Sequence, residues 1–327
     1  MQRVRRFELR GLQPLSQKSI VIGSRGSQLA LWQARWVRST LLHHHPALKI
    51  TIEVIKTTGD KIQDVPLAKV GGKGLFIKEI ESALISGDID LAVHSLKDMP
   101  AELPAQRCIG AITEREDARD VLFSRNGLSL EMLPEKARVG TSSLRRQAQL
   151  LNARPDLTIT SLRGNLDTRL KKLRTQWLDA IVLAAAGVHR MEMRQRISAY
   201  LPEQVMLPAV GQGALCLEQR RDDLKMASLI APLNHLTSEI AVSAERAFLH
   251  RLEGGCQVPI AAHGHIDGKR LRLEGLVATV DGRRMIRDTL TGPTQEARTL
   301  GRTLAERLLE QGAAEILATL HTETSHP

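Results

Sequence analysis

Along this chain, short apolar runs of β type give way repeatedly to stretches of helical period. Ser19-Ile20-Val21-Ile22-Gly23 is the first run, breaking into Ser24-Arg25-Gly26-Ser27. Leu29, Trp32, Trp36 and Leu41 then recur at the spacing of one helix face, with Ser27 as the expected N-cap. Residues 49–56 alternate as a strand, residues 76–85 read as a helix, and residues 90–94 form a strand ending at Ser95-Leu96-Lys97-Asp98-Met99-Pro100. The pattern restarts with strands at residues 120–123, 137–140, 157–161 and 179–183, and helices interleave with them. Such alternation predicts an α/β fold. Residues 207–215, with glycines at 211 and 213, read as a segment crossing between units.

Beyond Asn234 the style changes. A helix over residues 238–251 precedes strands near 258–265, 271–280 and 285–290, whose turns carry Asp267-Gly268 and Asp281-Gly282. Helices from Pro293 and Ala313 close a smaller α+β unit. The expected organisation is a basic, disordered extension over residues 1–17, a first α/β domain from 18–113 and 214–234, a second from 114–213, and a third from 235–327. At 327 residues, several domains are the natural expectation.

Composition narrows the function. Hydrophobic and charged fractions of 42% and 25% suit a globular chain, and no apolar run approaches a membrane span. The net charge is +10, part of it in residues 1–18, where Arg3, Arg5, Arg6, Arg10 and Lys18 face a lone Glu8. Aromatic content of only 2% leaves little for base stacking, so small polyanions are better partners than nucleic acid. Cys108, Cys216 and Cys256 are far apart and odd in number, which fits a reducing cytoplasm and no disulfide framework. His43-His44-His45 reads as a solvated helix end, and His263 and His265 lack a third ligand, so no metal is expected.

The charged residues fall in a telling place. Arg25, Arg145, Arg146, Arg163, Arg169 and Arg190 all lie at or just past strand ends, as do Lys97 and Asp98. That is the ligand position of open α/β sheets. Two arginines in a helix's first turn oppose its dipole, so Arg145 and Arg146 suit an anionic ligand better than they suit the helix. Six such arginines predict a cleft that grips several carboxylates or phosphates. The polar connection over residues 57–75 has the length of a functional loop, with Lys69 and Lys73 as cations above the cleft. Its Gly71-Gly72-Lys73-Gly74 lacks phosphate-loop spacing. Cys256 follows two glycines on a loop between helix and strand, a setting open to use as well as to inert burial.

Read together, these stretches resemble the porphobilinogen deaminase (hydroxymethylbilane synthase) family from about Ile20 to Ala318. The most specific are Leu67-Ala68-Lys69-Val70-Gly71-Gly72-Lys73-Gly74-Leu75-Phe76, Val93-His94-Ser95-Leu96-Lys97-Asp98-Met99-Pro100, Val139-Gly140-Thr141-Ser142-Ser143-Leu144-Arg145-Arg146, Ser161-Leu162-Arg163-Gly164-Asn165, and Glu253-Gly254-Gly255-Cys256-Gln257-Val258-Pro259. The resemblance implies two domains like those of periplasmic binding proteins around a cleft, plus a C-terminal domain bearing the cysteine. It implies a covalent dipyrromethane cofactor, joined by a thioether to Cys256. On it four porphobilinogen units are joined head to tail with loss of ammonia.

By the same resemblance, Asp98 is the catalytic carboxylate, with Arg25 and Lys97 beside the chemistry. Ser27, Lys97, Asp98, Thr141, Ser142, Ser143, Arg145, Arg146, Arg163 and Gly164 hold the cofactor. Arg25, Arg163, Arg169, Arg190, Gln212 and Phe76 meet the substrate. Each pyrrole carries acetate and propionate arms, which accounts for the arginines. A monomer without nucleic-acid or membrane partners is expected. Ser24 stands where the family often has threonine, and His189 where it often has lysine. A non-enzymatic receptor for a polycarboxylate is the competing reading, and a cysteine hydrolase using His250 or His263 as base is a weaker one.

Overall fold

The computed structural model describes residues 19–61, 77–252 and 258–324. Cys256, Phe76, Lys69, Lys73 and the basic extension over residues 1–17 lie outside them. The chain opens with β1 (Ser19–Ser24), α1 (Gln28–His44), β2 (Lys49–Val54), α2 (Thr58–Lys61), α3 (Lys78–Ser86), β3 (Leu91–Ser95) and β4 (Arg107–Ile112). It crosses to β5 (Asp120–Ser124), β6 (Arg138–Gly140), α4 (Leu144–Ala153), β7 (Thr158–Thr160), α5 (Leu166–Thr175), β8 (Ala180–Ala184), α6 (Ala185–Arg190) and β9 (Ala199–Tyr200). It then returns as β10 (Leu215–Arg220) and α7 (Leu224–Ile230). Helix α8 (Leu236–Arg251) leads to β11 (Ile260–Asp267), β12 (Arg270–Ala278), β13 (Met285–Pro293), α9 (Ala297–Leu308) and α10 (Ala314–Thr324).

The first two sheets share one plan. Their orders are β2-β1-β3-β10-β4 and β7-β6-β8-β5-β9. In each, three parallel strands are followed by an antiparallel one that has just arrived from the other unit. The chain therefore passes twice between them, ahead of β5 and ahead of β10. The third sheet, β11-β12-β13, is an antiparallel meander covered by α8 and α9. The fold is thus two mixed α/β sheets plus an α+β unit. Among the described residues no helix is long and apolar enough to cross a membrane.

Helix α1 buries a different face from the one its aromatics mark. Gln33, Ala34, Val37 and Leu41 point inward, whereas Trp36 is 38% exposed. The smaller side chains let α1 lie close on β1 and β3, where Gln33 donates to the Ser95 hydroxyl at 3.0 Å. An indole at either position would hold the helix off the sheet.

The two crossings are tied to each other and to α8. Arg115 donates from Nε to the Gln212 carbonyl at 2.8 Å, and its guanidinium bonds Glu245 at 2.5 and 3.1 Å. The fully buried Glu245 also accepts from the Gly211 amide at 2.7 Å and the Gly264 amide at 2.8 Å. One carboxylate of α8 therefore joins both crossings to β11. Gly213, at φ +95°, sits where a Cβ would come within 2.3 Å of the Glu116 carbonyl oxygen, so only glycine lets the crossings lie this close.

Candidate active site

The carboxyl ends of the parallel strands of both sheets carry the charged loops. β1 runs into Arg25 and Ser27, whose hydroxyl caps α1 by accepting from the Ala30 amide at 3.3 Å. β6 runs into Thr141-Ser142-Ser143, where Ser143 caps α4 and the Thr141 hydroxyl accepts from the Ser143 amide at 3.1 Å. Ser142 bonds Ser161 at 3.0 Å and the Leu162 carbonyl at 2.9 Å, tying the β6 and β7 loops together. A Cβ on Gly187 of α6 would touch Leu29 of α1 at 3.4 Å and Leu166 of α5 at 3.8 Å. The start of α1 thus meets the second unit beside the loops of Arg163 and Arg190.

Past β3 the chain makes a single 3-10 turn, Leu96–Asp98. Leu96 is buried and Lys97 is half-buried, while Asp98 is exposed and makes no hydrogen bond or ion pair among the described residues. Lys97 donates to Gln212 Oε1 at 3.3 Å. Desolvation, then the guanidinium of Arg146, lower the Lys97 pKa from 10.5 to about 8, with Asp98 and Asp120 opposing and Arg145 adding to the fall. The shift has a testable sign. As pH rises through about 8 the ammonium becomes an amine and ceases to hold an anion. The KM for an anionic substrate is expected to rise between roughly pH 7 and pH 9 by up to about tenfold, as a charge-assisted bond of about 1.5–3 kcal/mol is lost. In Lys97→Met the KM should be high and flat over that range. Wild-type KM that stays flat would remove Lys97 from the anion site.

Asp120, fully buried at the start of β5, organises the arginines of α4. It accepts from Arg145 Nη2 at 2.7 Å, from Arg146 Nε and Nη2 at 3.1 and 2.7 Å, and from Gln212 Nε2 at 3.0 Å. Burial alone would raise its pKa, but Arg145, Arg146 and Lys97 hold it well below the carboxylate range. Arg145 and Arg146 spend further donors on the carbonyls of Leu207 and Val182, at 2.6 and 3.0 Å. Both are buried, and they act on the cleft chiefly through their charge.

Arg169 is turned by one bond, from Nε to the Gly164 carbonyl at 2.8 Å; its Nη groups have no partner among the described residues. Position 164 takes glycine twice over: its φ is +118°, and a Cβ there would meet Thr168 at 2.6 Å. Desolvation, then Arg146 and Arg163, lower the Arg169 pKa to about 10, and Asp98 opposes them. The structure thus brings together Lys97, Asp98, Asp120, Arg145, Arg146, Arg163, Arg169 and Gln212. Arg190 stands apart, donating to the Gly213 carbonyl at 2.6 Å on the crossing. Among the described residues no cluster of acid, His and Cys side chains could hold a metal. Sequence reasoning passed over Asp120, whose signal was an acid opening the apolar run Val121-Leu122-Phe123. A carboxylate placed there demands buried cations.

Comparison with known proteins extends this picture. Residues 20–228 match the family model described as porphobilinogen deaminase, dipyromethane cofactor binding domain, and residues 239–310 match porphobilinogen deaminase, C-terminal domain. A porphobilinogen deaminase of Geobacter metallireducens is 54% identical over 307 residues, covering 94% of this chain and 96% of its own. One from Syntrophotalea carbinolica is 55% identical over 306 residues, covering 94% and 97%. Among solved structures, the second substrate binding domain of a putative amino acid ABC transporter from Streptococcus pneumoniae aligns with 66% of this chain and 91% of its own. That alignment has 13% identity and a TM-score of 0.43.

Proposed function

The chain belongs to the porphobilinogen deaminase family, and on that footing we propose that the cleft around Asp98 is where porphobilinogen units are joined. Its activity is porphobilinogen deamination in tetrapyrrole biosynthesis, with a dipyrromethane cofactor. The proposal adds that four units are linked head to tail on that cofactor, held by a thioether at Cys256.

The observation that carries the assignment is the charge of the cleft. Lys97, Arg145, Arg146, Arg163 and Arg169 gather around two carboxylates, Asp98 and Asp120, and Asp120 is consumed by internal bonds. The open Nη groups of Arg169 are orphaned donors in a site with surplus positive charge. Acetate and propionate arms are the complement, so these residues fit a dipyrromethane. Lys97, Arg163 and Arg169 would hold those arms, with Ser142 and Ser143 alongside. When bound, that group supplies the pyrrole carbon to which an incoming unit is joined.

The chain's own contribution is electrostatic. Asp98 accepts the pyrrole N–H of the incoming porphobilinogen and stabilises the positive charge that grows as ammonia departs. Fixed guanidinium groups orient the arms without reorganising during the reaction. Gln212 holds Lys97 and Asp120 at once, at 3.3 and 3.0 Å, and so keeps the field aligned. Arg25 and Arg190 complete the substrate contacts in this proposal, at the two rims of the cleft. We place the chain as a cytoplasmic monomer of three units, residues 18–113 with 214–234, 114–213 and 235–327. The three separate sheets support the division, and the unpaired Cys108 and Cys216 support a reducing compartment.

Intact mass of the purified protein beside Cys256→Ser is the test. The wild type is expected to carry the added mass of two linked pyrrole units, as isolated or after incubation with porphobilinogen, and the variant to carry none. A wild type with no pyrrole adduct even after incubation would sink the proposal.

A further inference from the structure

Helix α8 joins the third unit to the first two, and two adjacent residues do different jobs on it. Glu245 holds the crossings. Arg246 turns toward the loop that carries Asp98, donating from Nη2 to the carbonyls of Pro100 and Ala101 at 2.8 and 2.9 Å. Val242, one helical turn earlier on the same face, packs in a buried cluster with Leu96, Met99, Ala214 and Cys216. The loop is therefore gripped twice by one face of α8: an apolar contact behind Leu96 and Met99, and a cationic fork on the two carbonyls that follow. Upstream, the Leu96 amide is fixed to the Ala214 carbonyl at 3.0 Å, and the Met99 amide closes the turn on Leu96 at 3.1 Å. Beyond Met99, the Arg246 fork provides the hydrogen bonds to this stretch of backbone carbonyls among the described residues.

We propose that Arg246 is a positioning residue for the reaction, holding the Lys97–Asp98 turn in register with the helix that leads to Cys256. This rests on the reading of Asp98 as the reacting carboxylate. The Asp98 loop takes its position from α8, through the Arg246 fork and the Val242 contact behind Leu96 and Met99. An error of about 1 Å in the placement of the reacting carboxylate is enough to cost roughly 100-fold in rate. Arg246 meets only backbone on this loop, so it acts through the loop and not on substrate. The buried Cys216 thiol, pushed up first by desolvation and then by Glu218, also feels Arg246 and Asp98 with opposite signs.

The experiment uses the loaded enzyme with Arg246→Met and Arg246→Lys, each alone and combined with Asp98→Asn. Single-turnover addition of porphobilinogen is followed by intact mass, steady-state kcat and KM are measured, and hydrogen exchange is recorded over residues 91–103. Arg246→Met is expected to lower the addition rate roughly 10- to 100-fold with KM nearly unchanged. In the Asp98→Asn background the same change should cost less than about twofold, because the carboxylate it positions is gone. Arg246→Lys, which keeps a charged donor, should recover most of the rate. Exchange of the Leu96 and Met99 amides, which close the turn, should quicken in Arg246→Met while the β3 amides stay protected.

Equal losses in both backgrounds, a rise in KM alone, or unchanged exchange at the Leu96 and Met99 amides would each overturn the inference. Should Arg246→Met fail to fold, Arg246→Gln, which keeps a donor but loses the charge, takes its place in the cycle, and its rate loss should likewise shrink in the Asp98→Asn background. A wild type that forms no adduct counts against the function itself. The exchange result, taken on protein without cofactor, still stands or falls on the anchor.

Discussion

Asp98→Asn is expected to lower kcat by a factor of about 100 to 10,000, the range seen when a charge-stabilising or proton-handling group is removed. The fold should be unaffected. Asp98 ends a 3-10 turn with its side chain exposed and makes no hydrogen bond among the described residues, so the amide leaves no buried partner stranded. The amide also keeps the size and one acceptor oxygen, removing chiefly the negative charge. KM should move little, because the arms of the substrate are held by cations elsewhere in the cleft. That pattern, kcat falling with KM steady, marks an interaction made in the transition state. Steady-state kinetics together with a thermal melt reads it. A kcat within about tenfold of wild type, on a folded and cofactor-loaded variant, would mean that another group stabilises the departing charge.

Asp120→Ala is expected to be strongly destabilising. It strands Arg145 and Arg146, both buried, next to the half-buried Lys97. Removing one partner of a buried ion pair costs about 3–5 kcal/mol, since the remaining charge is left uncompensated. Two guanidinium groups depend on this carboxylate, so the upper part of that range is expected, read as a lower midpoint in urea. Acid should act on the same centre. The folded pKa of Asp120 lies below its ordinary value of 3.8, so its contribution is complete above about that pH and is lost only as pH falls further. A loss under about 1 kcal/mol, the figure for an exposed pair, would show that water reaches the cluster.

Much of this was legible along the chain because it is local. Strand runs, helix periods and caps arise within a few residues, so β1, β3, β6 and β8 and the caps Ser27 and Ser143 follow from short windows of sequence. The crowding of cations at strand ends is equally local, since it needs only the strand boundary and the residue beyond it. The motifs around Asp98, Thr141–Arg146 and Cys256 point to the family by themselves, and the matches over residues 20–228 and 239–310 agree.

What was not legible depends on contacts between distant residues. Arg145 and Arg146 read as ligand grips in their own helix turn; their pairing with Asp120, across a sheet, exists only once β5 lies beside β8. The face of α1 went to Gln33, Ala34, Val37 and Leu41 in preference to Trp32 and Trp36, because distance from the sheet, and not period, chose among the apolar residues. Glu245 and Arg246 look like an ordinary surface pair on a helix. Tertiary structure made one the tie between the crossings and the other a fork on the Asp98 loop, at sequence separations of 130 and 146 residues. Sequence alone determined which elements form and which chemistry they carry, because propensity and patterning act over a few residues. Packing decided which charges neutralise one another inside and which face the cleft, because electrostatic pairing acts through space.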